Sequence, residues 1–202
     1  MPGNPWPHDM MLRIEDSPSA LHELLWIREA WGLQPQGDDL PPLLAHPPEP
    51  VGLPAPEEWQ RAWPDLWAAC LAQAGRPHDP GLIGRLSDTS LGSEERARLL
   101  TELTGVSWRD RFGDEAFTSS FDAWSEAQRT AQHLRRPLAY DDTPERKSLD
   151  ALIVAWQAGI TEFVLIPCRG DFTRRLSPST LLVTEATRND PRRYAAALLA
   201  AA

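Results

Sequence analysis

Trp59, Trp63 and Trp67 stand four residues apart in the segment EEWQRAWPDLW. Four residues of α-helix turn about 400°, so successive indoles lie only about 40° apart and share one helix face. Three indoles on one face make an aromatic surface that has to be buried in a core or against a partner. Pro64 sits inside this stripe. It has no N–H to give the carbonyl of Gln60, and it biases Trp63 away from helical geometry. The expectation is a helix opened by Pro56 and closed by Gly75, kinked at Pro64 or split in two there. With nine tryptophans in 202 residues, most of them must fill the interior, and Trp26, Trp124 and Trp156 fall on apolar helix faces.

Proline sets the next constraint. Eight of the 20 prolines fall within residues 33–56, and no regular element survives that density. Leu40, Leu43, Leu44, Val51 and Leu53 are apolar enough to hold the segment down, so it reads as packed irregular coil. Residues 1–9, with three prolines, read as a flexible arm.

Helix signals recur outside these segments. Ser17-Pro18 reads as a cap and first turn, followed by Leu21, Leu24, Leu25, Ile27 and Trp31 and stopped by Gly32. Ser93 caps a helix bearing Leu99, Leu100 and Leu103. Asp114 reads as the cap of the longest helix, whose stripe is Phe117, Phe121 and Trp124 and whose end is Pro137. Thr143-Pro144 opens a helix over 144–158, and Asn189-Asp190-Pro191 opens the last. Residues 76–92 and 106–113 read as loop and turn. TEFVLI (161–166) and TLLVTEAT (180–187) are β-rich, and residues 10–15 are a candidate third strand. The fold class expected is α+β: one domain over 1–202, mainly helical with about six helices, and a small C-terminal antiparallel β-sheet. TEFVLI is too apolar to have both faces wet, so helix 144–158 and the last helix should cover one face.

The formal net charge is −9, and it is unevenly placed. Residues 1–101 hold seven basic against 15 acidic side chains, whereas from Phe163 onward there are six basic against three acidic. A negative front half argues against nucleic acid and anionic membranes as partners, since both need a positive field. No apolar run approaches the ~18 residues of a membrane span. Two cysteines and no signal-peptide pattern at the N-terminus lead us to expect reduced thiols and a cytoplasmic location.

The sharpest chemical pattern is Cys168-Arg169-Gly170-Asp171-Phe172-Thr173-Arg174, a C-x5-R stretch directly after an expected strand. It resembles the phosphate loop of the cysteine-dependent phosphatases, in which backbone N–H groups and a bidentate Arg hold phosphate and lower the thiol pKa. The resemblance implies Cys168 as nucleophile, Arg174 as phosphate clamp, and Asp141 or Asp142 as general acid. Read without it, the stretch is a strand-to-strand connection. Cys168 is then a buried thiol, and Arg169, Arg174 and Arg175 form a patch for an anion or an acidic partner. His78-Asp79 resembles the HD pair of metal-dependent phosphohydrolases, with His46 and Asp141 or Asp142 to complete a set. Pro77 and Pro80 take that pair off any helix, so no metal and no cofactor is expected.

Trp59, on an acidic first turn, and Trp108, outside the expected helices, are the candidate partner-binding tryptophans, beside Arg169, Arg174 and Arg175. Exposed tryptophan near carboxylates also suits an aromatic pocket for a small cation. The functional expectation is a non-enzymatic, cytoplasmic protein-binding or accessory protein. An immunity- or antitoxin-like neutraliser fits, with an acidic surface, including Asp38, Asp39, Glu57 and Glu58, facing a basic partner. The alternative is the phosphatase-like hydrolase. No oligomeric state follows from the sequence.

Overall fold

The computed structural model describes residues 6–37, 39–77, 79–135 and 139–202. Strand β1 (Arg13–Glu15) is followed by helices α1 (Ser19–Ala30), α2 (Glu57–Ala74), α3 (Leu82–Ser87), α4 (Glu94–Thr104), α5 (Trp108–Phe112) and α6 (Ser119–Arg135). A 3-10 turn at Tyr140–Asp142 leads to α7 (Pro144–Lys147) and α8 (Leu149–Gln157). Strands β2 (Glu162–Ile166), β3 (Thr173–Arg175) and β4 (Thr180–Thr184) follow, then α9 (Glu185–Asn189) and α10 (Pro191–Ala201). The class is mixed α and β, with ten helices among the described residues rather than six.

The sheet corrects the expected hairpin. Its order is β1-β2-β4-β3, with β1 parallel to β2, β2 parallel to β4, and only β3 antiparallel, against β4. Residues 10–15 do supply a strand, and it joins the C-terminal strands at one edge. TEFVLI and TLLVT are neighbours but run the same way, because the charged segment Thr173-Arg174-Arg175 takes the opposite edge between them in sequence. The physical reason lies in their side chains. β2 and β4 are apolar on both faces, which suits interior parallel strands, while a strand with two arginines suits an edge.

α8 and α10 cover one face, as expected, and α1, α2 and α6 cover the other. Val164, Ile166 and Leu182 pack with Leu21, Leu24, Leu25, Trp63, Trp67 and Trp124 from α1, α2 and α6. Phe163, Leu165, Leu181 and Val183 pack with Leu152 and Ala155 of α8 and Tyr194 and Leu198 of α10. Trp156, expected in the core, is only half-buried. Trp6 packs against the second cluster, so the described part of the N-terminal arm is held down at its tryptophan; residues 1–5 lie outside the described residues.

α2 runs unbroken through Pro64. Tertiary packing overrides the missing N–H. Trp63 and Trp67 stack at 5.4 Å with ring planes 10° apart, and Trp63 Nε1 donates to the carbonyl of Leu24 at 2.8 Å. Other boundaries shift where capping chemistry is local. α1 begins one residue after Pro18, and Ser17 caps nothing. Residues 106–113 form α5, with a reciprocal box between Ser107 and Asp110, and residues 76–92 contain α3. Asp114 pairs with Arg109 instead of capping α6, which starts at Ser119. Helix 144–158 divides at Ser148. The caps at Ser93, Thr143 and Asp190 form as the sequence implies. Pro137 lies outside the described residues.

Residues 33–56 hold no helix or strand among those described, only an isolated bridge between Leu44 and Cys168. Arg28 anchors them. Its buried guanidinium donates to the carbonyls of Pro41 (2.8 Å) and Pro42 (2.7 Å) and lies 5.6 Å from the Trp63 ring. A proline run offers carbonyls without matching N–H groups, and a five-donor guanidinium satisfies them.

Candidate functional site

The C-x5-R stretch leaves β2 and crosses the end of β4 to reach β3. Its backbone is committed to neighbours along most of its length. Arg169 N donates to Leu43 O (2.8 Å), Ala45 N donates to Pro167 O (2.9 Å), and Thr184 N donates to Phe172 O (3.1 Å). The Thr184 hydroxyl donates to Gly170 O (2.8 Å), and Phe172 N donates to Thr187 Oγ1 (3.2 Å). These N–H groups do not converge on a point.

Cys168 is 1% exposed, and burial pushes its thiol up to about 12, with Arg28 only partly offsetting this. A phosphatase nucleophile needs the opposite shift. Arg174 turns to Asp39, 3.7 Å away, and not to the thiol. Asp141 pairs with Arg146 (3.2 Å) and Asp142 with Lys147 (3.4 Å). The structure therefore does not assemble Cys168, Arg174, Asp141 and Asp142 into one site.

The basic patch also divides. Arg175 donates to the carbonyls of Ser177, Pro178 and Ala201, tying the β3–β4 turn to the end of α10. Arg169 is exposed and makes no ion pair among the described residues. Trp59 and Trp108, expected at a surface, are 5% and 0% exposed. They meet edge-to-face at 5.2 Å, and Trp31 meets Trp59 at 4.9 Å. Ser107 and Asp110 build a short helix that turns Trp108 inward onto the aromatic stripe. His78 lies outside the described residues. Among those described, no three His, Cys, Asp or Glu side chains gather to hold a metal ion, and no helix is long and apolar enough to cross a membrane.

What the structure does present is a helical arm formed by α3 and α4, which pack chiefly on one another. Leu82 and Leu99 are its buried contacts. Gln73 of α2 ties it down by donating to Glu102 O (2.8 Å) and Leu103 O (3.3 Å). Leu91 is 89% exposed, Ile83 51% and Val106 47%, and Leu100 and Leu103 are more than a third exposed. Around them stand Asp79, Asp88, Glu94, Glu95 and Glu102 against Arg85, Arg96 and Arg98. The sequence placed Leu99, Leu100 and Leu103 on one helix but did not reveal this arm. One sign was available: α4 carries leucine at 99, 100 and 103, a wider apolar arc than one buried contact needs.

A second feature is a pair of adjoining clefts of about 360 and 230 Å3 at the carboxyl ends of β1 and β4, sharing Asp16, Gln132 and Glu185. Two titrating groups beside the smaller one are shifted by burial. Burial lowers the His22 imidazole to about 4, partly countered by Asp16, and burial raises Glu23 despite its bond to Arg109. Comparison with protein-family models, curated proteins and solved structures finds no match to the chain.

Proposed function

We propose that this chain is a non-enzymatic, cytoplasmic binding protein, folded as one domain, that engages a protein partner through the α3–α4 arm. One observation carries the reading: large aliphatic side chains stand in water on a helical pair that packs mainly on itself, with a net acidic surround. Exposed aliphatics grouped on one element mark interaction surfaces, and acidic rims speed encounter with basic partners. An accessory factor or a neutraliser of a basic protein fits this chemistry.

The experiment is cross-linking from cell extract, followed by binding kinetics with the recovered partner. The double variant Leu100→Ser/Leu103→Ser should dissociate at least about tenfold faster. Removing Asp39, Glu57 and Glu58 together, with Asp38 outside the described residues, should slow association and weaken its salt dependence. A double variant that recovers the same partner with unchanged kinetics would exclude the arm.

A further inference from the structure

In sheets with parallel strands, ligands settle in the crevice beyond the strand carboxyl ends, where successive connections depart to opposite faces. Here β1 and β4, which flank β2, send their chains to opposite faces. The chain leaving β1 enters α1, which packs on one face, and the chain leaving β4 enters α9 and α10, of which α10 packs on the other. Asp16 is the first residue after β1 and Glu185 the first after β4. Between them and α6 lies the cleft of about 230 Å3, walled by Phe121 and Trp124.

The ionic balance of the cleft is specific. Each arginine near it is already engaged: Arg135 with Glu185, Arg129 with Glu126 (2.7 Å), and Arg109 with Glu23 (2.8 Å) and Asp114. Asp16 alone keeps a carboxylate with no ion pair or hydrogen bond among the described residues; Gln132 bonds its backbone carbonyl instead, at 2.8 Å. The rings are fixed. Trp124 Nε1 donates to His46 O at 2.9 Å, Phe121 stacks on Trp124 at 6.3 Å, and His22 meets Trp124 edge-on at 6.2 Å. His22 also holds a buried Nε2 with no hydrogen-bond partner among the described residues. Because burial keeps that imidazole neutral near pH 7, it does not repel a cation.

We propose that this cleft binds the primary ammonium group of a small aliphatic amine. Asp16 is its counter-ion, and the faces of Trp124 and Phe121 form its wall. The side-chain oxygens of Ser125 and Gln128, which also line the cleft, take the remaining N–H donors. An unpaired carboxylate beside fixed aromatic rings favours a cation over an anion or a neutral polar group. The site shares no lining residue with the α3–α4 arm, so it stands apart from the partner-binding reading.

The test is calorimetry, with tryptophan fluorescence in parallel, using n-butylammonium and putrescine as probes and 1-butanol and butyrate as controls. The wild type should bind both amines saturably and neither control. Asp16→Asn should weaken amine binding about tenfold or more, with an unchanged melting curve, and Asp16→Glu should keep most of it. No saturable amine binding by the wild type up to ~10 mM, or butyrate bound as well as the amine, overturns the proposal. The wild-type arms alone decide the sign of the site if Asp16→Asn misfolds. Amine binding that survives Asp16→Asn at full strength overturns it equally.

Discussion

Single side chains here are governed mainly by burial. Cys168 lies under the bridge to Leu44, so its thiol should resist iodoacetamide at pH 8 in the native protein and react once urea is added. Hydrolysis of p-nitrophenyl phosphate should stay at background and be indifferent to Cys168→Ser; turnover lost in that variant would restore the phosphatase reading. His22 makes a pH signature. Its folded value of about 4 lies below the ordinary 6.5, so the unfolded chain binds the extra proton. Stability is complete above about pH 6.5 and declines by up to ~3 kcal/mol as pH falls towards 4. Glu23 works in the opposite sense. Burial raises its carboxyl, so its contribution is greatest below the ordinary carboxylate range and is lost as pH climbs above it. Urea midpoints measured from pH 4 to 7 should therefore rise with pH in the wild type, and much less in His22→Leu. Arg28 was legible in the sequence only as a charge on an apolar helix. That it satisfies two proline carbonyls needed the coil to be folded back over α1.

Elements reveal where local signals suffice. Ser93, Thr143 and Asp190 cap the helices the sequence assigns them, because a side-chain oxygen and the next turn's N–H are neighbours whatever the rest of the chain does. Pro64 shows the limit. Its helix stays whole because Trp59, Trp63 and Trp67 are all buried on the same core, and that burial outweighs a cost of ~3 kcal/mol for proline in a helix. Pro64→Ala should recover part of this, raising stability by about 1–3 kcal/mol in urea titration; a neutral or destabilising result would mean that the ring itself is needed for packing. Gly105, at the end of α4, has φ +69°, and a Cβ there would stand 2.5 Å from Gln73 Cγ. Gly105→Ala should displace the side chain that holds the arm and cost about 1–3 kcal/mol. Hydrogen exchange should then quicken in residues 82–104 before the rest of the protein.

Across the whole molecule, β1 pairs with β2 although the helices α1 to α8 lie between them in sequence. Such a closure ties both ends of the chain into one sheet, with a separate apolar cluster on each face. Tryptophan fluorescence reports mainly the first cluster and far-UV circular dichroism reports both. The two should give one coincident urea transition, and two separated transitions would show that the faces unfold independently. The amino-acid sequence by itself determined the tryptophan stripe, the irregular coil of 33–56, the sites of three caps, the strand-forming segments and the acidic balance, because each depends on periodicity, proline density or composition within a few residues. Tertiary structure alone decided that β2 and β4 run parallel, that Trp59 and Trp108 face inward, that Cys168 and Arg174 part company, and that Asp16 and Trp124 line one cleft. Those outcomes depend on which distant surfaces bury one another, and a free energy shared among many weak contacts leaves no mark at any single position.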